Sequence, residues 1–247
     1  MEICEFCNQR KLRMWECPDY FEVDNGQVVI FSPMQLFKDG KAEDAQTVCM
    51  QVKFDKETCA MELPEEYQFL DYGTDLYAPQ STFDEEGRRI LTAWLRMPEP
   101  VDGKWQGMMC IPRVVEVKEN HIYFRVHPNV QAAYTKEISA PSEADESGYR
   151  LRFSLEDGDK VDVGGYVISR KGDKICTDRS CLFGKYPNHR VKFETPEMKG
   201  FEIEVYVNPN QISVFVNDGE AVITNAVYDL GKEIETDVKM RIETLEK

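Results

Sequence analysis

From Phe201 to Val207 the apolar residues Phe201, Ile203, Val205 and Val207 alternate with Glu202, Glu204 and Tyr206. A period of two gives a strand one buried face and one wet face. Ile212, Val214 and Val216 repeat the pattern, as do Leu151, Phe153 and Leu155, and Val238, Met240 and Ile242. Between Val216 and Ala221 stands Asn217-Asp218-Gly219, residue types that tolerate the positive φ of a tight hairpin. A sustained 3.6-residue apolar period is missing along the chain, so the expected class is all-β.

The chain changes texture near Pro128. The first part holds all the tryptophans and most of the prolines, and the second consists of plain alternating segments and acidic loops. This divides it into residues 1–127, a linker over 128–148 and a second unit over 149–247. Within the linker, Asn129 to Ile138 reads as a short helix or connecting segment, and Ala140 to Gly148 as a polar loop.

Lys and Arg number 30 against 45 Asp and Glu, a formal charge of −15 that repels phosphate backbones and anionic lipid. Nucleic acid and membrane are therefore not expected partners. No apolar run approaches the roughly 18 residues of a membrane span, and the start lacks a basic-then-apolar leader, so the expected location is cytoplasmic. The eight cysteines are spread out, which suits reduced thiols. Cys4 and Cys7 form one Cys-x-x-Cys pair, but Cys176 and Cys181 have a different spacing, so no structural zinc is expected. His121, His127 and His189 show no metal-ligand pattern, and no cofactor is implied.

The most specific stretch is Met14-Trp15-Glu16-Cys17-Pro18-Asp19-Tyr20-Phe21, followed by Val28-Val29-Ile30-Phe31-Ser32-Pro33. Read alone, Glu16 could be a solvated carboxylate at a strand end. It could also be a general acid, if burial and a neighbouring carboxylate held its proton.

The run Trp-Glu-Cys-Pro-Asp-Tyr-Phe resembles the acid/base motif of glycoside hydrolase family 32, the invertase, levanase and sucrose-6-phosphate hydrolase group. Asp71-Tyr72-Gly73-Thr74-Asp75-Leu76-Tyr77-Ala78-Pro79-Gln80-Ser81-Thr82-Phe83 is similar to another block of that family, with Leu76 where Phe is usual. Gly87-Arg88-Arg89-Ile90-Leu91-Thr92-Ala93-Trp94 is similar to a third. Trp105-Gln106-Gly107 with Ile111-Pro112-Arg113 is similar to the closing propeller segment. Phe201 to Thr224 resembles the C-terminal β-sandwich more loosely. The resemblance implies the last part of a five-bladed β-propeller followed by a β-sandwich. It implies retaining hydrolysis of a fructoside, with Glu16 as general acid and base, and Trp94, Asp75 and Tyr77 in the substrate pocket. For Trp94 a core position, and for Asp75 a buried structural role, stand as alternatives; Arg113 is expected to tie blades together.

The family's nucleophile lies in an Asn-Asp-Pro-type motif, and an Arg-Asp-Pro motif holds the fructose hydroxyls. Neither occurs in this sequence. A retaining pair stands about 5 to 5.5 Å apart, close enough for one carboxylate to help keep the other protonated. A chain with Glu16 alone is therefore expected to be inactive by itself, and to associate through exposed blade edges or be completed by a missing N-terminal part. The alternative from another class is a non-catalytic carbohydrate-binding or interaction module.

Overall fold

The computed structural model describes residues 15–33, 36–38, 41–43, 46–144 and 148–246. Cys4 and Cys7 lie outside these. Strands dominate, and the α-helices among the described residues are short. A hairpin of β1 (Trp15–Val23) and β2 (Gly26–Pro33) opens the first sheet, and β3 (Leu36–Lys38) and β4 (Lys41–Glu43) form a ribbon of their own. Next, β5 (Val48–Asp55) pairs with β2, β6 (Ala60–Glu62) and β7 (Gln68–Phe69). The second sheet follows directly, from β8 (Leu76–Phe83), β9 (Arg89–Leu95), β10 (Met108–Met109), β11 (Arg113–Lys118) and β12 (His121–Val126). All its pairings are antiparallel, with β9 bonded to β8, β10 and β11.

Helix α1 (Pro128–Ala133) begins where the texture changes. Pro128 suits its first turn, and His127 Nδ1 accepts the Asn129 N–H at 3.1 Å. The expected linker is corrected here: residues 134–138 form β13 (Tyr134–Ile138), an edge strand antiparallel to the last strand of the chain. Strand β14 (Tyr149–Ser154) comes next. It precedes the meander β15 (Lys160–Val163), β16 (Tyr166–Lys171) and β17 (Lys174–Asp178), then helix α2 (Ser180–Phe183) and β18 (Lys192–Glu194). Strands β19 (Glu202–Asn208), β20 (Gln211–Val216) and β21 (Ala221–Ala226) run as consecutive hairpins before β22 (Ile234–Glu235) and β23 (Arg241–Leu245). The third sheet has the order β13-β23-β14-β19-β20-β21, and the fourth β18-β17-β16-β15-β22.

Third and fourth sheets share a core of Leu151, Val205, Ile212 and Val214 against Val161, Ile168 and Ile175. Full burial of each such side chain contributes about 1.5–3 kcal/mol. The alternation anticipated this face but not the other. Tyr206 and Phe215, on the side read as wet, are 0 % and 1 % exposed. They join a second core with Leu95, Ile122 and Phe124 of the second sheet and Phe21 and Ile30 of the first. Strands β19 to β21 are thus covered on both faces. The expected strand from Val238 starts only at Arg241, and its buried residues are Glu243 and Thr244. Glu243 is held there by Arg150 at 2.6 Å and Arg152 at 2.9 Å.

The Asn217-Asp218-Gly219 turn forms as read, with φ of 48°, 58° and 88°. Gly219 meets a second demand. A Cβ there would lie 2.4 Å from the Phe124 carbonyl oxygen, and its own oxygen accepts the Phe124 N–H at 2.9 Å. The hairpin tip is pressed onto β12, and only glycine fits both the backbone angle and the approach.

Candidate active site

Two irregular strands place Glu16. In β1 the register passes from Glu16 opposite Ser32 to Asp19 opposite Ile30, so Cys17 and Pro18 bulge out, with Cys17 at φ 50°. Strand β8 repeats the device: Tyr77 faces Trp94, Gln80 faces Thr92, and Ala78-Pro79 bulges with Ala78 at φ 50°. Proline has no ladder N–H, so an Xaa-Pro step is a natural place for a bulge, and a bulge re-aims the neighbouring side chain. The two irregular strands are tied across. Ala78 N–H donates to Ser32 Oγ at 3.1 Å, Ser32 Oγ shares a 2.9 Å bond with Thr47 Oγ1, and Ser81 N–H donates to Asp19 Oδ2 at 2.8 Å.

Tyr77 Oη therefore donates a short hydrogen bond to Glu16 Oε2. Burial, and then the Glu16 carboxylate, push the Tyr77 phenol well above its ordinary range, so it stays a donor. The Arg96 guanidinium lies 4.8 Å from the Tyr77 ring centroid and donates to the Thr74 carbonyl at 2.6 Å, which braces the ring. Glu16 Oε1 has no partner among the described residues. A carboxyl held by one phenol and open at its other oxygen can give or take a proton there. No second carboxylate among the described residues bonds to Glu16 or Tyr77.

Trp94 stands directly across from Tyr77, hence on the same face of the second sheet, and is 45 % exposed. That exposure rules out the core alternative. Gly107 lies against the indole: a Cβ on it would be 2.3 Å from Nε1. Glu16, Tyr77 and Trp94 are thus brought together.

Asp75 is not. Its carboxylate faces Arg179 of the second half, with Nη2 to Oδ1 at 3.0 Å and Nη1 to Oδ2 at 2.5 Å, and Oδ2 also accepts the Ala226 N–H at 2.9 Å. With both oxygens engaged it serves as a tie between the halves, the structural role given as its alternative. Arg113, 0 % exposed, has a related role. Its Nη2 donates to Asp71 Oδ2 and Thr224 Oγ1, both at 2.7 Å, so it joins the second sheet both to β21 and, through Asp71 and the Leu70 carbonyl, to the segment after β7. Asp71 Oδ1 accepts the Gly73 and Thr224 N–H groups at 2.8 and 2.7 Å. Burial pushes the Asp71 carboxyl up, against the pull of Arg113 and these N–H groups. Gly73 has Thr224 O at 2.0 Å from its would-be Cβ.

Sequence reasoning missed Ser32, Asp19 and Arg96 as supports of the site, and Arg179 as the partner of Asp75. Ser32 and Asp19 sit inside the quoted motifs, which was the available signal. Two other acids stand elsewhere: Asp218 is in the hairpin turn, and Asp178 accepts the Ser180 N–H at 2.8 Å and pairs with Lys192 at 3.2 Å.

A sequence model of the glycosyl hydrolases family 32 N-terminal domain matches residues 2–128. Among curated proteins, a sucrose-6-phosphate hydrolase of Vibrio alginolyticus is 28% identical over 249 residues, covering 89% of this chain and 49% of its own length. A raffinose invertase of Escherichia coli is 28% identical over 251 residues, covering 87% and 50%. The chain spans about half the length of the curated relatives it matches. Among solved structures, a sucrose-6-phosphate hydrolase of Lactobacillus gasseri superposes with TM-score 0.78 at 18% identity, covering 94% of this chain and 55% of that one. A mutant β-fructofuranosidase of Bombyx mori in complex with sucrose gives 0.77 at 19%, covering 95% and 55%. At these identities the structural likeness speaks for the fold.

Proposed function

The chain belongs to glycosyl hydrolases family 32, and from that premise we propose that it carries the acid/base half of a retaining fructosidase site. Glu16 protonates the leaving oxygen of a β-fructofuranosyl bond and then acts as base toward water. The attacking carboxylate comes from outside these 247 residues. Tyr77 holds Glu16 through Oε2 and leaves Oε1 to face the substrate. Trp94 packs its ring against the apolar face of the sugar. Sucrose, sucrose 6-phosphate and fructans are the substrates considered. The names of the relatives support a sucrose-type fructoside. The first two sheets read as blades of a propeller, and the third and fourth as a sandwich.

The observation that carries this reading is the Glu16–Tyr77 pair, set by two cross-tied bulges beside an exposed tryptophan. The test is sucrose hydrolysis by the chain together with a polypeptide bearing Asn-Asp-Pro and Arg-Asp-Pro motifs. Hydrolysis is expected only from the combination, and Glu16→Gln should lower the rate about 10² to 10⁴-fold. An unchanged rate in that variant would sink the assignment. Sugar binding with no hydrolysis in either setting would favour a non-catalytic carbohydrate module.

A further inference from the structure

His127 stands where the chain leaves the second sheet for α1, and its backbone and ring are both engaged there. Its N–H donates to the Pro112 carbonyl at 3.0 Å, and its carbonyl accepts the Val130 and Gln131 N–H groups at 2.9 and 3.1 Å. Ring atom Nδ1 accepts the Asn129 N–H at 3.1 Å, so that nitrogen carries no proton. The ring proton is therefore on Nε2, which donates to Asp84 Oδ2 at 3.2 Å. Only the neutral imidazole with its hydrogen on Nε2 makes both contacts at once. The cationic ring and the other tautomer each present a donor to the Asn129 N–H.

The charged groups facing the ring come from the turn between β8 and β9. Asp84 Oδ2 also accepts Arg88 Nε at 2.6 Å, its Oδ1 accepts the Glu86 and Arg88 N–H groups at 3.1 and 2.8 Å, and Glu86 pairs with Arg88 Nη2 at 2.8 Å. Burial alone would raise the Asp84 carboxyl, but Arg88 and His127 bring it down to about 2, so it is a carboxylate wherever an imidazole titrates. Helix α1 adds no acidic residue in its first turn and no basic one in its last. At the far end of the helix, Arg150 donates through Nη1 to the Gln131 carbonyl at 3.1 Å and through Nη2 to the Tyr134 carbonyl at 2.9 Å. Arg150 is itself paired with Glu204 and Glu243. The connector thus rests on an imidazole at its near end and on a guanidinium at its far end, and of the two only the imidazole ordinarily changes charge between about pH 5 and 8.

We propose that His127 is an acid-sensitive latch on the connector between the two halves. A proton taken from solvent at Nδ1 turns that nitrogen from acceptor to donor. It then opposes the Asn129 N–H, and the first turn of α1 opens. The Nε2–H bond to Asp84 strengthens as the ring becomes cationic, so the ring stays on the β8–β9 turn while the helix leaves it. Arg150 keeps the far end in place, so the opening is confined to the start of the helix, and the passage between the halves changes from a fixed joint to a hinge. The latch is independent of the fructosidase reading.

Nitrogen NMR of the His127 ring, together with amide hydrogen exchange of Asn129, Val130 and Gln131, tests it on the 247-residue chain between about pH 8 and 5. At the upper end Nδ1 should be bare and Nε2 protonated. Once the intrinsic pH dependence of exchange is removed, protection of the three amides should fall about five-fold or more as Nδ1 gains its proton, the size of a lost N-cap contact. In His127→Asn, whose side-chain oxygen can cap the helix at every pH, protection should be the same at both ends of the range. Asp84→Asn should move the midpoint of the change to lower pH, because the cationic ring loses its counter-charge. Protection that does not follow protonation of the ring overturns the proposal, as does a fall that persists in His127→Asn or a midpoint unmoved in Asp84→Asn. A ring found with its proton on Nδ1 at the upper end overturns it in the parent chain, without recourse to any variant.

Discussion

The junction at Asp71 and Asp75 and the site at Glu16 are both built around carboxylates, and they hold them in opposite ways. At the junction each carboxylate oxygen has a committed donor, from Arg113, Arg179 or the backbone of β21. At the site one phenol holds one oxygen, and the other has no partner among the described residues. The contrast separates two uses of the same group. A carboxylate that fastens one half of a protein to the other is saturated with donors, and the one proposed to exchange a proton keeps an oxygen without a partner among the described residues.

The comparison breaks first at Arg113. Arg113→Met leaves the Asp71 carboxyl buried without its cation, and equilibrium urea unfolding should show a loss of about 3–5 kcal/mol. A loss under about 1 kcal/mol would mean that the junction is not the clamp described. Gly73→Ala should cost about 1–3 kcal/mol in the same measurement, because its Cβ would overlap the Thr224 backbone.

Acid offers a milder probe. Burial alone would raise the Glu243 carboxyl, but Arg150 and Arg152 hold it below the usual glutamate range. The stability it provides is therefore present above the unfolded-state value near pH 4.5 and lost as pH falls through the lower folded value. Melting temperatures of Glu243→Gln and the parent should differ most near neutral pH and converge as the pH falls through the lowered folded value. A gap that widens on acidification would contradict the sign. The smallest expected effect is Glu16→Gln, within about 0.5 kcal/mol of the parent in urea unfolding, since Gln can still accept from Tyr77. A large loss there would place Glu16 among the structural carboxylates.

How far the sequence could be read follows from where the partners lie. Turn chemistry is local, so Asn217-Asp218-Gly219 was legible, and alternation revealed the core face of β14, β19 and β20. Alternation could not reveal that the opposite face is also covered. Tyr206 and Phe215 belong to a core that includes residues of the second sheet, far away in the chain. Two large aromatic residues on a supposedly wet face were the signal that something lies over it. That Glu16, Tyr77 and Trp94 lie together was legible through the resemblance, because the bulges that gather them belong to the same short motifs. The tie at Asp75 was hidden for the converse reason. Its motif is local, but Arg179, which gives it its role, is not. The expected linker likewise hid a strand, since β13 acquires its identity only by pairing with β23 at the other end of the chain.

The triplet Thr224-Asn225-Ala226 belongs to two structures at once. Its strand bonds run to β20, while Thr224 N–H, Asn225 Nδ2 and Ala226 N–H reach Asp71, the Gly73 carbonyl and Asp75. Chimeras that exchange the last part of the chain for a foreign β-rich segment must therefore carry this tripeptide over in phase. A graft shifted by a single position would turn those groups the other way and leave two acids without these donors in the seam between the halves. The safest crossover points lie upstream of Asp71 or beyond Ala226, not at the composition change near Pro128.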